Sequence, residues 1–379
     1  MAKRWWLSLA LLIGLLALSA CAAEEKATPA PTTPGAEARA AWEQEWERVL
    51  AAAKREGKVT VLGPTGAENR RALTEPFERK YGITVEFQGG QGPEQVAKLN
   101  SERAGGQHLW DIFIAGSGTV IPSLTSEGAL DPIEPALILP EVTDVKSWLG
   151  EKLRFADEGR RVLVMSSLTK ANVFINPSLV KAEEFKSYKD LLEPKWREKI
   201  IIHDPRIPGP GNATLGFFHQ HKELGPDFIR ALAAQKPLIL RDTRQELEFV
   251  AQGRYPILIG GSDATASALL REGLPIAIVD HRQLKEKSYL THGFGSVSML
   301  SKLPHPNATK VYLNWLLSKE GQTEFNRALG FASRRLDVPS KDWVEPWWLP
   351  VDGYWFSDDE KGIAIRNDAV PFFKEVFKD

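Results

Sequence analysis

Three units of the same kind follow one another in the first third of the chain. Each consists of a short apolar stretch, a glycine-containing turn and a stretch in which apolar residues recur at helical spacing. The apolar stretches are residues 58–62, 83–87 and 111–115, and their turns are Gly63-Pro64-Thr65-Gly66, Gly89-Gly90-Gln91-Gly92 and Gly116-Ser117-Gly118. Strands that alternate with helices form parallel sheets covered by helices. The pattern therefore predicts an α/β lobe in this region.

The middle of the chain contains a second set of such elements. Four continuous apolar runs suit strands that are buried on both faces, and four stretches with helical character lie between and after them. The runs are residues 200–202, 238–240, 257–259 and 276–279, and the helical stretches are residues 213–223, 226–235, 244–252 and 264–271. We expect a second α/β sheet here.

Two extended stretches connect the two sets. Residues 161–175 are long enough to cross from one lobe to the other, and residues 293–301 form a second extended run after the second set. Two crossings indicate a two-segment hinge and a first lobe that is completed by the later part of the chain. The expected limits are residues 41–171 and 286–345 for lobe 1, 172–285 for lobe 2, and 346–379 for a tryptophan-rich tail without clear periodicity that packs on a lobe.

The N-terminal segment has the layout of a secretory signal. Lys3 and Arg4 precede an uncharged apolar stretch, residues 5–20, which is slightly short for a membrane-spanning helix. The stretch ends in Leu18-Ser19-Ala20-Cys21, which resembles a bacterial lipobox, and Cys21 is the only cysteine of the chain. We expect a signal peptide over residues 1–20, removed before Cys21, and a lipid on the Cys21 sulfur.

Residues 21–40 are dominated by alanine, proline, threonine and glutamate, a composition that cannot bury enough apolar surface to order itself. They are predicted to be a flexible tether that holds the globular part outside the cytoplasm, at the periplasmic or cell-surface side of a membrane. The net charge of −1 and the lack of a later basic stretch speak against nucleic-acid binding. We expect a monomer without a cofactor.

The predicted site lies at the carboxyl ends of the strands, where ligands collect in open α/β sheets. Glycine-rich turns and helix starts offer N–H donors and a positive dipole end there, which suits an anion or a polar ligand. Arg206 could add a planar fork of donors. The candidate ligand-binding residues are Thr65, Gly66, Gly90, Gln91, Ser117 and Gly118 in lobe 1, Asn172 near the crossing, and Arg206, Asn212, Ser262 and Asp263 in lobe 2.

An alternative is a serine hydrolase in which Ser262, between a strand and a helix, is the nucleophile. Asp280 and His292 follow it in the order of a catalytic triad, but Ala264 replaces the second glycine of the elbow motif. The intervals of 18 and 12 residues are too short for the usual hydrolase layout. The chain also has no P-loop, HExxH motif or GxGxxG turn, and the prediction is a protein without catalytic residues.

The order and spacing of several segments resemble those of extracellular solute-binding proteins of bacterial ABC importers, in the iron(III)-type, ferric-binding-protein-like branch. The segments are AKREGKVTVLGPTG, LTEPFERKYGITVEF, QHLWDIFIAG, EGALDPI, LLEPKWREKIIIHDPR and YLNWLLSKEGQTEF, and the match covers roughly residues 42–335. The resemblance implies a type II periplasmic-binding-protein fold, closure of two lobes on a ligand, and a permease with its ATPase as partners. It implies no catalysis.

One departure from the family pattern bears on the ligand. Relatives that bind ferric iron carry adjacent tyrosines at the start of the helix after a lobe 2 strand, whereas this chain has Gly261-Ser262-Asp263-Ala264 there. None of its six tyrosines are adjacent, and the first turn lacks a histidine or glutamate. We therefore expect a small polar or anionic solute and no protein metal site; ferric iron or an iron chelate is the alternative.

Overall fold

The computed structural model describes residues 34–351 and 354–378, and their side chains from residue 41 onward. The predicted signal peptide, Cys21 and most of the predicted tether lie outside the described residues. None of the described helices is long and apolar enough to cross a membrane. The first helix begins at Pro34, so residues 34–40, which we expected in the tether, are helical. Alanine, glutamate and arginine predominate in this stretch, and these strong helix formers explain the early start.

The helices of the described residues cover both halves of the chain. In chain order they are α1 (Pro34–Glu56), α2 (Ala67–Tyr81), α3 (Gly92–Ala104), α4 (Ser117–Val120), α5 (Pro140–Thr143), α6 (Pro210–Gln220), α7 (Gly225–Ala234), α8 (Thr243–Ala251), α9 (Asp263–Arg271), α10 (Pro306–Leu317), α11 (Lys319–Leu329) and α12 (Glu360–Val376). A π-helical turn, Ile121–Thr125, continues α4 directly. Short 3₁₀ segments lie at Glu134–Ala136, Val145–Ser147, Ala182–Glu184, Tyr188–Leu192, Pro194–Trp196, His281–Gln283 and Ser340–Asp342.

The strands of the described residues fall into three sheets. In chain order they are β1 (Lys58–Gly63), β2 (Thr84–Gly89), β3 (Ile112–Ile114), β4 (Leu130–Asp131), β5 (Arg154–Phe155), β6 (Val162–Val164), β7 (Ser166–Thr169), β8 (Val173–Ile175), β9 (Ile200–His203), β10 (Leu238–Leu240), β11 (Ile257–Ile259), β12 (Ala277–Ile278), β13 (Leu290–Thr291), β14 (Ser296–Leu300) and β15 (Ala332–Ser333).

The first sheet has the order β2-β1-β3-β14-β6-β5, with β4 beside β14. Strands β1, β2 and β3 are parallel, as the three repeated units predict. Strand β14, which comes from the later part of the chain, enters antiparallel between β3 and β6 and pairs Val297 with Ile114. The later part of the chain thus contributes a strand to the first sheet.

The second sheet has the order β10-β9-β11-β8-β12. Strands β9, β10 and β11 are parallel, and β8 runs antiparallel between β11 and β12. Every residue of β9 and of β11 is buried, as their continuous apolar sequences require. Together the sheets and their covering helices form the type II periplasmic-binding-protein fold that the sequence predicts.

The first crossing segment contributes a strand to a small third sheet. Strand β7 of the first crossing pairs antiparallel with β13, which lies just before the second crossing, with Thr169 opposite Leu290, and β15 flanks β7 on its other side. In the described residues, first-sheet strands come from residues 58–164 and 296–300, and second-sheet strands from residues 173–278. These limits support our proposal that the lobes change at residues 171/172 and 285/286.

The prediction that the C-terminal tail lacks clear periodicity is wrong, because α12 occupies half of it. Asp359 caps this helix, and its side chain accepts the Gly362 N–H. Phe373 and Phe377 are buried in the apolar core of the second sheet. Phe356, just before the helix, and Ile363, in its first turn, are buried instead against the core of the first sheet. The tail thus contacts both sheets rather than packing on one lobe.

Candidate functional site

A cleft of about 600 Å³ is lined by loops at the carboxyl ends of strands from both sheets. Loops that follow β2 and β3 contribute from the first sheet, and loops that follow β9 and β11 contribute from the second. The lining residues are Gln91, Gly92, Pro93, Gly116, Ser117, Gly118, Thr119, Pro122, Leu168, Lys170, Pro208, Gly209, Pro210, Asn212, Ala213, Ser262, Asp263, Ala264, Tyr289, Thr291, Gly293, Phe294, Phe331, Asp358, Ile363, Arg366 and Asn367. This is where topology leads one to expect a ligand.

The structure brings six of the eleven sequence-predicted site residues to this cleft. They are Gln91, Ser117, Gly118, Asn212, Ser262 and Asp263. Thr65, Gly66 and Gly90 do not line it. Thr65 and Gly66 are exposed in the turn between β1 and α2, where the Thr65 carbonyl accepts a 2.7 Å hydrogen bond from Asn69. This turn therefore forms a hydrogen bond with its own helix and does not line the cleft.

Asn172 and Arg206 also lie away from the cleft lining, because contacts with other parts of the protein occupy their side chains. Asn172 is buried, and its Nδ2 donates to Tyr188 Oη at 2.7 Å and to Ser288 Oγ at 3.0 Å. Arg206 Nε donates to Asp204 Oδ1 at 2.8 Å, and its Nη1 donates to the Phe377 carbonyl at 2.9 Å. The predicted arginine fork exists but holds the C-terminal end of the chain.

Ser262 is the N-cap of α9, since its Oγ accepts the Thr265 N–H at 3.3 Å. The proposed triad partners are engaged elsewhere. The Asp280 carboxylate accepts both the backbone N–H and the guanidinium of Arg282, and His292 Nε2 accepts the Ser117 N–H at 3.1 Å. The strand–Ser262–helix corner is therefore a capped helix start at the edge of the cleft, and it lacks the hydrogen bonds of a hydrolase elbow.

Asp263 forms a buried ion pair with Lys170, in the crossing segment. Lys170 Nζ lies 2.6 Å from Asp263 Oδ2 and also donates to the Ala171 and Gly261 carbonyls, at 2.8 and 2.6 Å. An ammonium has three N–H donors, so all are used. Burial lowers the pKa of Lys170, and the Asp263 carboxylate acts against that effect. The other Asp263 oxygen accepts from Trp348 Nε1 at 2.8 Å and from the Ala171 N–H at 3.0 Å.

A second buried cluster lies around Asp358, a residue of the C-terminal tail. Asp358 Oδ2 accepts from the Thr291 hydroxyl and from the His292 N–H, and Oδ1 accepts from Ser357 Oγ at 2.9 Å. The Ser117 hydroxyl donates to the Asp358 carbonyl. Burial, opposed by the Asp358 carboxylate, lowers the pKa of His292 to about 4. His292 is therefore neutral at pH 7.

The sequence reasoning missed Arg366 of α12, which enters the cleft between the two sets of loops. Its aliphatic stem packs on Gly216 of α6, where an added Cβ would meet Arg366 Cγ at 2.7 Å. At its other end, Nη2 would lie 3.3 Å from a Cβ added at Gly118 of α4. Ile363, Arg366, Ala369 and Phe373 recur at helical spacing, a signal that Pro371 and the tryptophans before it obscured.

The donors of the cleft do not form a metal site. The part of the chain that the structure describes contains no group of three or more histidine, cysteine or acidic side chains placed to hold a metal ion. Tyr289 lies on the cleft, but burial raises the pKa of its phenol well above the ordinary value. Its hydroxyl lies 3.3 Å from Thr214 Oγ1.

A family model for bacterial extracellular solute-binding proteins matches residues 72–350. The chain belongs to this family. Its members are binding proteins rather than enzymes, they act outside the cytoplasm, and they deliver small ligands to ABC permeases. The predicted resemblance is thereby confirmed. The matched segment ends before α12, so Asp358 and Arg366 come from a part of this solute-binding protein that the family model does not cover.

Solved structures with the same fold hold ligands of different chemistry. Iron-bound HitA from Pseudomonas aeruginosa superposes with a TM-score of 0.63 at 17% identity, over 84% of this chain and 99% of that one. AfuA from Actinobacillus pleuropneumoniae, with exogenous fructose-6-phosphate bound, gives a TM-score of 0.62 at 17% identity, over 84% and 99%. FutA from Trichodesmium, in complex with iron and citrate, gives a TM-score of 0.64 at 16% identity, over 85% and 100%. At such identities the likeness establishes the fold alone.

Proposed function

We propose that this solute-binding protein captures a small solute with a carboxylate, phosphate or phosphonate group in the cleft and presents it to its permease. The observation that carries this proposal is that three helices, α3, α6 and α9, begin at the cleft. Their first turns contribute the positive ends of helix dipoles and backbone N–H groups, except at Pro93, at Pro210 and at Thr265, whose N–H is bound by Ser262. Helix starts of this kind favour negatively charged ligands.

Direct coordination of ferric iron is the weaker candidate. The corner that begins α9 carries Ser262 and Asp263, and both Asp263 oxygens already have partners. Tyr289 is the tyrosine of the cleft lining, and its raised pKa disfavours the phenolate that binds Fe(III). An iron chelate with carboxylate groups would be an anion, and it falls within the ligand class proposed here.

We also propose that a lipid on Cys21 holds the mature protein at the membrane, as a monomer. Support comes from the sequence around this single cysteine and from the extracytoplasmic location of the family. A tether near the permease raises the effective concentration of the binding protein there. Expression with Cys21→Ser should move the protein from the membrane fraction to the soluble fraction. A variant that stays membrane-bound would argue against the lipid.

The ligand class is tested by thermal unfolding of the full-length protein with a panel of carboxylates, phosphate esters, phosphonates, polyamines, neutral sugars and ferric salts. A ligand that binds only the folded state stabilises it by roughly 2.7 kcal/mol at one hundred times its Kd. We expect oxyanions to raise the Tm and polyamines and neutral sugars to leave it unchanged. Stabilisation by ferric salts with a phenolate-to-iron absorption band would favour iron instead.

A further inference from the structure

The guanidinium of Arg366 is buried in the cleft, yet it makes few polar contacts there. Arg366 is 8% exposed. Among the described residues its polar contact is an ion pair of 3.4 Å from Nη1 to Asp358 Oδ1, and Nε is buried without a hydrogen-bond partner. A guanidinium has five N–H donors, and burial without acceptors is costly for a charged group. The arrangement is that of a binding group whose partner is a ligand.

Asp358 does not satisfy this guanidinium. Its carboxylate already accepts from Thr291, from the His292 N–H and from Ser357. These donors hold the carboxylate in place, and they compete with Arg366 for its lone pairs. The Asp358 charge therefore keeps Arg366 oriented without occupying its fork of donors.

The other cation of the cleft lining is closed to ligands. The three N–H donors of Lys170 bind Asp263 and two backbone carbonyls. Arg366 is thus the cationic side chain of the described lining with donors still open. Its stem is fixed by the contact with Gly216, and the absence of a side chain at Gly118 leaves space beside Nη2.

We propose that Arg366 binds the oxyanion group of the solute, and that the C-terminal helix of this protein thereby supplies a specificity-determining residue. This role of Arg366 rests on the proposed function, the capture of an oxyanion solute, and it assigns the selection of the ligand class to one residue. Planar guanidinium groups bind carboxylate and phosphate oxygens through paired hydrogen bonds. The residue lies beyond the segment that the family model matches.

Calorimetric titration of the full-length protein with inorganic phosphate, citrate, fructose 6-phosphate and fructose tests the proposal, together with any hit from the thermal panel. We expect Arg366→Gln to raise the Kd for the oxyanion that binds by about tenfold to one hundredfold. Arg366→Lys keeps the charge but not the fork, and it should recover part of the affinity. Lys374→Gln removes a charge from an exposed position of the same helix and should leave the Kd unchanged.

The unfolding temperature without ligand separates a binding role from a structural one. Arg366→Gln removes the 3.4 Å pair with Asp358, but it also removes a buried Nε that has no hydrogen-bond partner, so the unfolding temperature should stay close to that of the wild-type protein. A lowered Tm with an unchanged Kd would overturn the proposal and leave the proposed function standing. Tight binding of a neutral or cationic solute only would contradict both the proposal and the proposed function. Failure of every probe to bind the wild-type protein would contradict both the role of Arg366 and the proposed function.

Discussion

Lys170 Nζ lies 2.6 Å from Asp263 Oδ2, and both side chains are buried. The pair joins the crossing segment between β7 and β8 to the first residue of α9. Trp348 of the tail also donates a hydrogen bond to Asp263. Asp263 is therefore a structural anchor beside the cleft, although its sequence position predicts a ligand contact. Breaking one half of such a pair leaves an uncompensated buried charge.

Asp263→Asn should lower the free energy of unfolding by about 3–5 kcal/mol, since the Lys170 ammonium would stay buried without its counter-charge. Lys170→Met combined with Asp263→Asn should recover much of that loss, because no buried charge remains. Glu248→Gln breaks the exposed pair with Arg244 and should cost about 0.5 kcal/mol or less. Urea unfolding measures all three. A loss below about 1 kcal/mol for Asp263→Asn would contradict the anchor role.

The unfolding free energy should depend on pH through His292. Its pKa is about 4 in the folded protein and about 6.5 in an unfolded chain. The unfolded state therefore binds more protons between these values, and the contribution of His292, complete above about pH 6.5, is lost as the pH falls toward 4. The charged groups that act on it are Asp358, Arg366, Arg154 and Arg334.

His292→Gln keeps an acceptor for the Ser117 N–H but cannot be protonated. Burial also lowers the pKa values of His219, His221 and His281, so the wild-type slope contains several protons. The slope of the variant between pH 6.5 and 4 should be smaller by about 1.4 kcal/mol per pH unit at most, the value for one proton. Identical slopes for the two proteins would show that His292 does not stay neutral in the fold.

Gly211→Ala should destabilise the second lobe at the cleft edge. An added Cβ would lie 2.0 Å from the His203 carbonyl oxygen, so the backbone would have to shift. We expect a loss of about 1–3 kcal/mol in urea unfolding. Gly92→Ala is the matched control, because Gly92 also begins a helix at the cleft and its added Cβ would meet Thr119 at an ordinary 3.5 Å. An equal loss in both variants would contradict the steric explanation.

The adjacent phenylalanines of α12 should respond differently to truncation. Phe373 is fully buried in the second core, whereas Phe372 is only half-buried. Phe373→Ala should cost about 3–5 kcal/mol through the lost transfer energy and the cavity it leaves. Phe372→Ala should cost about 1 kcal/mol or less, since part of the ring is already in water. Equal midpoints in urea would show that α12 is not anchored through Phe373.

Strand ends and helix starts were predictable because parallel topology fixes them to one edge of each sheet. The partner of each polar side chain was not. Arg206 and Asn172 stand at suitable positions, but their side-chain donors are already used inside lobe 2. Arg206 donates to Asp204, which is close in sequence, and Asn172 donates to Tyr188, which is more distant. Local pattern can place a residue near a cleft, whereas only tertiary packing decides whether its donors stay open.

Arg366 was beyond the reach of that reasoning for a different reason. Pro371 within α12 and the tryptophans before it mask the helical period, and the helix approaches the cleft from a segment that follows all the strands. No rule on strand ends applies to it. Gly118 and Gly216 leave space for the Arg366 side chain, and this role can be recognised only once the position of the arginine is known.

The position of α12 has a consequence for the choice of boundaries in recombinant fragments of this protein. A recombinant fragment that stops where the family match stops, at residue 350, would lose Phe373 and Phe377 from the second core. It would also lose Phe356 and Ile363 from the first. Such a fragment would expose apolar surface on both sheets and would be prone to aggregate. For this chain, the segment that matches the family is shorter than the unit that folds.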